Sequence, residues 1–209
     1  MKAGPGISSK LGPQFNQAFL FAAEKHAGQT KKGTGVPYIS HVMGVAGLVL
    51  EAGGDEEMAV AALLHDVVED CGGLPMLKEI ELKFGSRVAR IVDGCTDSYG
   101  YPKPPWRERK EKYLLRVRDE DDDTRLVSAA DKVHNTRAIL MDHCEIGDKV
   151  WERFAGKRDG SLWYYRSLAD EFERRGANRL TRELARVVAQ LESLSGTGSG
   201  SVKSLGREA

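Results

Sequence analysis

The chain has no long apolar run. No stretch of its 209 residues approaches the ~20 apolar residues of a membrane-spanning helix. The first six residues, Met-Lys-Ala-Gly-Pro-Gly, hold no apolar signal core. Cysteine is scarce too: Cys71, Cys95 and Cys144 are odd in number, far apart and without a CxxC spacing. That argues against a disulfide framework or a zinc–thiolate site and for a reducing compartment, with the cytoplasm as the expected location. Net charge is also missing, since Lys and Arg number 31 against 31 Asp and Glu. No global field draws the chain to nucleic acid or an acidic membrane, so an anionic ligand needs a local basic cluster. No segment shows the period-two alternation bounded by turn residues that marks strands. With 41% hydrophobic and 30% charged residues, the expected fold is globular and all-α.

Glycine punctuates the helices. Phe15, Phe19, Ala22, Ala23 and His26 mark one face of a first helix, ended by Gly28. A Gly/Lys/Thr-rich loop follows over 28–36. Ser40 is placed to cap a helix from His41 to Ala52. Gly53-Gly54 stops it, Asp55-Glu56-Glu57 caps and charges the start of the next, and Gly72-Gly73 closes that one. Further helices are expected over Pro75 to Phe84, Ser86 to Cys95, Trp106 to Val117, Asp122 to His143, 161–175 and 178–194, with a loop over 96–105. The expected organisation is a flexible N-terminus over 1–12, one domain over 13–194 and a disordered Gly/Ser-rich tail over 195–209.

Chemistry concentrates in Ala-Ala-Leu-Leu-His-Asp-Val-Val-Glu-Asp (61–70). Burying an imidazole and three carboxylates costs several kcal/mol unless they are paired or bind metal. On a continuous helix Glu69 lies over His65 and Asp70 over Asp66, which suits a metal centre with acid/base groups beside it. A solvated helix end with one satisfied histidine is the plainer alternative. Two further ligands fit: His41 after Pro37-Tyr38-Ile39-Ser40, and Asp131 in Val-Ser-Ala-Ala-Asp-Lys-Val-His-Asn (127–135). Alone, His41 reads equally as a core or capping histidine and Asp131 as a buried structural carboxylate; their joint occurrence favours a metal. Two imidazoles and two carboxylates without thiolate suit Mn, Zn or, less often, Fe.

These four residues match the H…HD…D pattern of HD-domain metal-dependent phosphohydrolases. More specifically, five blocks resemble the hydrolase half of the Rel/SpoT homologue proteins, which remove the 3′-pyrophosphate of guanosine alarmones. They are His-Ala-Gly-Gln-Thr-Lys-Lys-Gly (26–33), Pro-Tyr-Ile-Ser-His (37–41), Leu-Leu-His-Asp-Val-Val-Glu-Asp (63–70), Phe-Gly-Ser-Arg-Val-Ala-Arg-Ile-Val-Asp-Gly-Cys-Thr (84–96) and Ala-Asp-Lys-Val-His-Asn-Thr-Arg (130–137). The resemblance spans about residues 15–145. Residues 157–169 resemble the stand-alone small alarmone hydrolases, so no synthetase or regulatory domain is expected to follow.

The resemblance implies an HD fold with one divalent ion, typically Mn(II), on His41, His65, Asp66 and Asp131. It implies Glu69 and Asp70 as the catalytic pair. Lys31 and Lys32 would meet the guanine base and phosphates, Asn135 the nucleoside, and Arg137 a phosphate or sugar. The chain departs from the family at Lys31, where Arg is usual and a planar guanidinium could stack on a base. It also departs at Ala138, where Thr is frequent, and has one extra residue before Pro37. Trp163, Tyr164 and Tyr165 either flank a nucleotide or, as adjacent helix aromatics more often do, pack in the core. The implied activity is alarmone 3′-pyrophosphohydrolase, giving GDP or GTP and pyrophosphate. The alternatives are an HD phosphatase for another nucleotide such as NADPH, and a metal-holding regulatory protein without turnover. The expected partner is a guanosine nucleotide, not nucleic acid or membrane. A homo-oligomer and an antitoxin pairing with an alarmone synthetase are both compatible with the sequence.

Overall fold

The computed structural model describes residues 11–100 and 102–196. The expectations for residues 1–10 and 197–209 lie outside the described residues. The chain runs through α1 (Pro13–Lys25), α2 (Ile39–Glu51), α3 (Glu56–Leu64), α4 (Val67–Cys71), α5 (Gly73–Phe84), α6 (Ser86–Cys95), α7 (Trp106–Val117), α8 (Asp122–Ile146), a 3-10 segment (Gly147–Arg153), α9 (Lys157–Arg174) and α10 (Arg179–Gly196). Among the described residues the only extended pairing is an isolated bridge between Thr30 and Pro37. The fold is all-α.

α3 is the centre. Every residue from Met58 to Leu64 is buried, and a helix apolar on all sides must be surrounded. α1, α2, α6 and α8 pack around it. Asp55 starts α3 by accepting from the Met58 amide at 3.0 Å, and Glu56 and Glu57 add charge that favours the helix N-terminus. Asp121 caps α8 in the same way, accepting from the Thr124 amide at 3.0 Å. α6 ties these two starts together: Arg87 reaches Asp55, Glu57 and Asp123, while Arg90 reaches Asp121 and Asp123. α10 lays Leu180, Leu184, Val187, Val188 and Leu191 against α8 and α9. One apolar cluster extends from Ala18 to Val188, with a satellite of Ile139, Val150, Trp151, Val187 and Leu191.

Several boundaries differ from the sequence reading. α2 begins at Ile39, and Ser40 is not its cap. The amides of Ser40 and His41 already bond back to the Pro37 and Tyr38 carbonyls at 3.1 and 2.8 Å, so the turn is wound before Ser40. α5 begins at Gly73 rather than Pro75, α9 begins at Lys157, and α10 continues to Gly196, past the expected boundary at 194. The 3-10 segment had no counterpart. The helix expected to carry His65 and Asp66 without interruption is two helices, broken between Leu64 and Val67.

Candidate active site and metal centre

The site lies where α3 gives way to α4, at His65 and Asp66. Both keep right-handed helical dihedrals, with φ and ψ of −59° and −29° at His65 and −98° and −8° at Asp66. Asp66 opens α4, whose first turn is closed by the Asp70 amide bonding to the Asp66 carbonyl at 3.0 Å. α2 contributes His41 from its first turn and α8 contributes Asp131 from its buried face.

Four donor atoms converge. His65 Nε2 lies 3.0 Å from Asp66 Oδ2 and 3.6 Å from Asp131 Oδ1. His41 Nε2 lies 3.3 Å from His65 Nε2, 3.4 Å from Asp66 Oδ2 and 3.3 Å from Asp131 Oδ1. Adjacent donors around a single divalent ion at ~2.0–2.2 Å stand about 2.8–3.6 Å apart; His41, His65 and Asp66 meet that spacing with one another, and Asp131 meets it toward the two imidazoles. Two nitrogens and two carboxylate oxygens suit a borderline or hard divalent cation. His41, His65 and Asp66 alone already form a group able to hold an ion.

The surrounding bonds orient these donors. His65 Nδ1 donates to the Ala62 carbonyl at 2.8 Å, which turns the Nε2 lone pair toward the centre. His41 Nδ1 lies 2.9 Å from His134 Nδ1. With the His41 Nε2 lone pair at the centre, His41 Nδ1–H is the donor and His134 the acceptor. Burial, helped by the neighbouring His41 charge, lowers the His134 pKa to about 4, which keeps that acceptor neutral. Tyr38 donates to Asp66 Oδ2 at 2.5 Å. Lys132 Nζ and Asn135 Nδ2 each donate to Asp131 at 2.5 Å. Burial disfavours charge on His41 and His65, yet the Asp66 and Asp131 carboxylates outweigh it and raise both imidazoles. An ion entering the centre would replace those protons.

The centre opens into a cavity of about 310 Å3. Glu69 lines it and accepts from Lys103 Nζ at 2.7 Å. Burial, reinforced by Asp97, raises the Glu69 pKa despite Lys103, in the direction that suits a general base. Asp70, one residue on, receives Gln29 Nε2 at 2.8 Å. Lys31, Lys32 and Asn135 line the cavity, as does Ala138. Arg137 does not: its guanidinium bonds Glu183 on α10, at 3.0 and 3.1 Å. Of the three aromatics, Tyr164 and Tyr165 line the cavity. Trp163 does not, and Arg107 covers its ring at 3.2 Å. The Tyr164 hydroxyl is buried without a protein partner.

The sequence reading missed Arg109, Lys110 and Lys132 on the cavity wall, together with Asp97, which pairs with Arg109 and Lys110, both at 2.6 Å. It also missed Lys103, Tyr38 and His134. His134 had a signal, because it follows Asp131 by three residues on one helix face. The α7 cations had none, since they alternate with acids as solvated helix faces do.

The chain belongs to the HD-domain family, whose pattern matches residues 18–161. Its relatives within that family are of the MESH1 and SpoT kind. Over 129 residues it is 40% identical to the guanosine-3′,5′-bis(diphosphate) 3′-pyrophosphohydrolase MESH1 of Mus musculus, and equally to that of Homo sapiens. Each alignment covers 60% of this chain and 69% of the relative. The bifunctional (p)ppGpp synthase/hydrolase SpoT of Escherichia coli K12 is 34% identical over 132 residues, 60% of this chain and 18% of that protein. A solved structure of a metazoan ortholog of SpoT, described as hydrolysing ppGpp, superposes with a TM-score of 0.71 at 26% identity, over 90% of this chain and 99% of that one.

Proposed function

We propose that the chain is a Mn(II)-dependent guanosine-3′,5′-bis(diphosphate) 3′-pyrophosphohydrolase, releasing pyrophosphate and GDP or GTP. The observation that carries this reading is the four-donor cluster opening, beside Glu69, into a cavity that Lys31, Lys32, Arg109, Lys110 and Lys132 help to line. The relatives named for the same activity add to it. His41, His65, Asp66 and Asp131 would hold the ion. Once bound, it supplies a Lewis acid that polarises the phosphoryl group and acidifies water. Glu69 orients the attacking water and takes its proton, and Asp70 shares that task. The bond broken is the one from the 3′-oxygen to the adjacent phosphorus, and the ribose oxygen leaves with a proton. Lys31, Lys32, Arg109, Lys110 and Lys132 offset charge on the pyrophosphate, and Asn135 binds the nucleoside. Arg137 has no part in this assignment.

A single domain over 13–194 in the cytoplasm fits this reading, with three free cysteines and a nucleotide substrate. The test is product release across a panel of alarmones, NADPH and other 2′- or 3′-phosphorylated nucleotides, with Mn(II), Mg(II), Zn(II) and chelator. Pyrophosphate from the alarmones, strongest with Mn(II), is the expected result. A higher kcat/KM on NADPH, or orthophosphate as the sole product, overturns it.

A further inference from the structure

We propose that Gln29 is a positioning residue: under the control of His26, it holds the Asp70 carboxylate in its working orientation. The inference rests on the catalytic role proposed for Asp70. Gln29 Nε2 stands 2.8 Å from Asp70 Oδ2, and Gln29 Oε1 stands 2.7 Å from His26 Nδ1. A carboxylate accepts and does not donate, so the amide must turn its NH2 to Asp70. Its carbonyl then faces His26 and can only accept, which places a proton on His26 Nδ1. The other ring nitrogen, Nε2, is buried without a partner. His26 is therefore fixed in role and orientation, and the polarity of the whole chain runs from His26 through Gln29 to Asp70.

The loop gives this chain its anchor. His26 is 3% exposed, its ring centroid lies 5.0 Å from that of Tyr38, and its amide bonds to the Ala22 carbonyl at 2.9 Å. Gln29 and Tyr38 face each other across the loop base, with the Tyr38 amide 2.9 Å from the Gln29 carbonyl. A second rung, from the Lys31 amide to the Val36 carbonyl at 2.9 Å, closes the loop. From this base Tyr38 grips Asp66 and Gln29 grips Asp70. The tip carries Lys31 and Lys32 to the cavity wall. One short loop thus holds a metal-ligand candidate and a catalytic carboxylate while presenting two substrate cations. The competing pull on Asp70 comes from Lys103, whose Nζ lies 3.8 Å from Oδ1 and sits closer, at 2.7 Å, to Glu69. Without Gln29, the Asp70 carboxylate has reason to turn toward Lys103.

The test compares Gln29→Met, which keeps the length and removes the polar atoms, with Asp70→Asn and the double variant. We expect Gln29→Met to lower kcat by ~10-fold or more through misorientation, with KM, metal content and melting temperature near wild type. In the Asp70→Asn background the same substitution should add nothing, because both act through one group. A crystal structure of Gln29→Met should show Asp70 rotated toward Lys103. Unchanged kcat in Gln29→Met overturns the proposal, as do losses that multiply in the double variant. Full turnover in Asp70→Asn alone defeats the catalytic role assigned to Asp70. The crystal structure judges the Gln29 contact without reference to turnover: an Asp70 carboxylate that stays in place overturns it.

Discussion

Gly44→Ala should weaken metal binding although Gly44 is not itself a candidate ligand. Gly44 lies on α2, one turn after His41, where the His134 ring of α8 crosses. A Cβ at this position would fall under 3.0 Å from both Nε2 and Cδ2 of that ring, whereas ordinary contact begins near ~3.5 Å. The ring must retreat by about 1 Å, or α2 and α8 must part by as much. Either movement stretches the 2.9 Å contact from His41 Nδ1 to His134 Nδ1 beyond hydrogen-bond range. Removing such an outer partner of a metal-bound histidine costs about 10–100-fold in affinity, or roughly 1.4–2.7 kcal/mol. Competition with a chelator, monitored by bound Mn(II) at equilibrium, measures this directly, and a melting curve of the metal-free protein reports any general loosening. Wild-type affinity in Gly44→Ala would refute the claim that His134 orients His41.

Asp131→Ala should lose metal and turnover together, because three remaining ligands leave the shell incomplete; a fully loaded variant by metal analysis removes Asp131 from the ligand set. Glu69→Gln should cut pyrophosphate release by ~100-fold or more with metal content near wild type, and near-normal release would strip Glu69 of its role. Glu120→Gln should stabilise the protein at alkaline pH. Burial, against the attraction of Arg116 and Lys132, lifts the Glu120 pKa from its ordinary 4.5 to about 7, and neither carboxylate oxygen has a hydrogen-bond partner. The folded state thus binds this proton more tightly than the unfolded chain. Stability falls as pH rises from about 4.5 to 7, by roughly 3 kcal/mol for a carboxyl so shifted. Denaturant melts at pH 5 and pH 8 should show a flatter pH dependence for the variant. A variant less stable than wild type at pH 8 contradicts the assignment.

The candidate ligands stand out in the sequence because each is a polar residue in a setting that calls for apolar ones. His65 and Asp66 end a run buried on every side, and Asp131 follows Ser128, Ala129 and Ala130 on the buried face of α8. The helix break between them was not legible. No glycine or proline stands at 65–66, and local propensity favours continuing the helix. The dihedrals at His65 and Asp66 stay in the right-handed helical region, so the interruption is one of hydrogen bonding, which propensity does not report. Ser40 failed as a cap for a related reason: the turn is already wound by backbone bonds from Pro37 and Tyr38, leaving its hydroxyl no terminus to cap. The segment 147–153 carries no helical period to read, and Arg137 entered as a phosphate or sugar contact through the resemblance of the block 130–137. On α8, Asn135 faces the cavity and Arg137 faces Glu183.

The balanced total charge hides a feature that only the assembled site exposes. Lys31, Lys32, Arg109, Lys110 and Lys132 line the cavity, and so do Asp66, Glu69, Asp97, Asp131 and Asp142. Lys, Arg, Asp and Glu therefore balance along the wall. Two of those acids, Asp66 and Asp131, belong to the candidate metal cluster, where they raise the His41 and His65 imidazoles. A divalent cation that displaced both imidazole protons would leave the total charge unchanged and concentrate it at one point beside Glu69. The ion would then act as a localised Lewis acid rather than as a gain of net charge, and attraction of an anionic ligand falls to the placement of Lys31, Lys32, Arg109, Lys110 and Lys132.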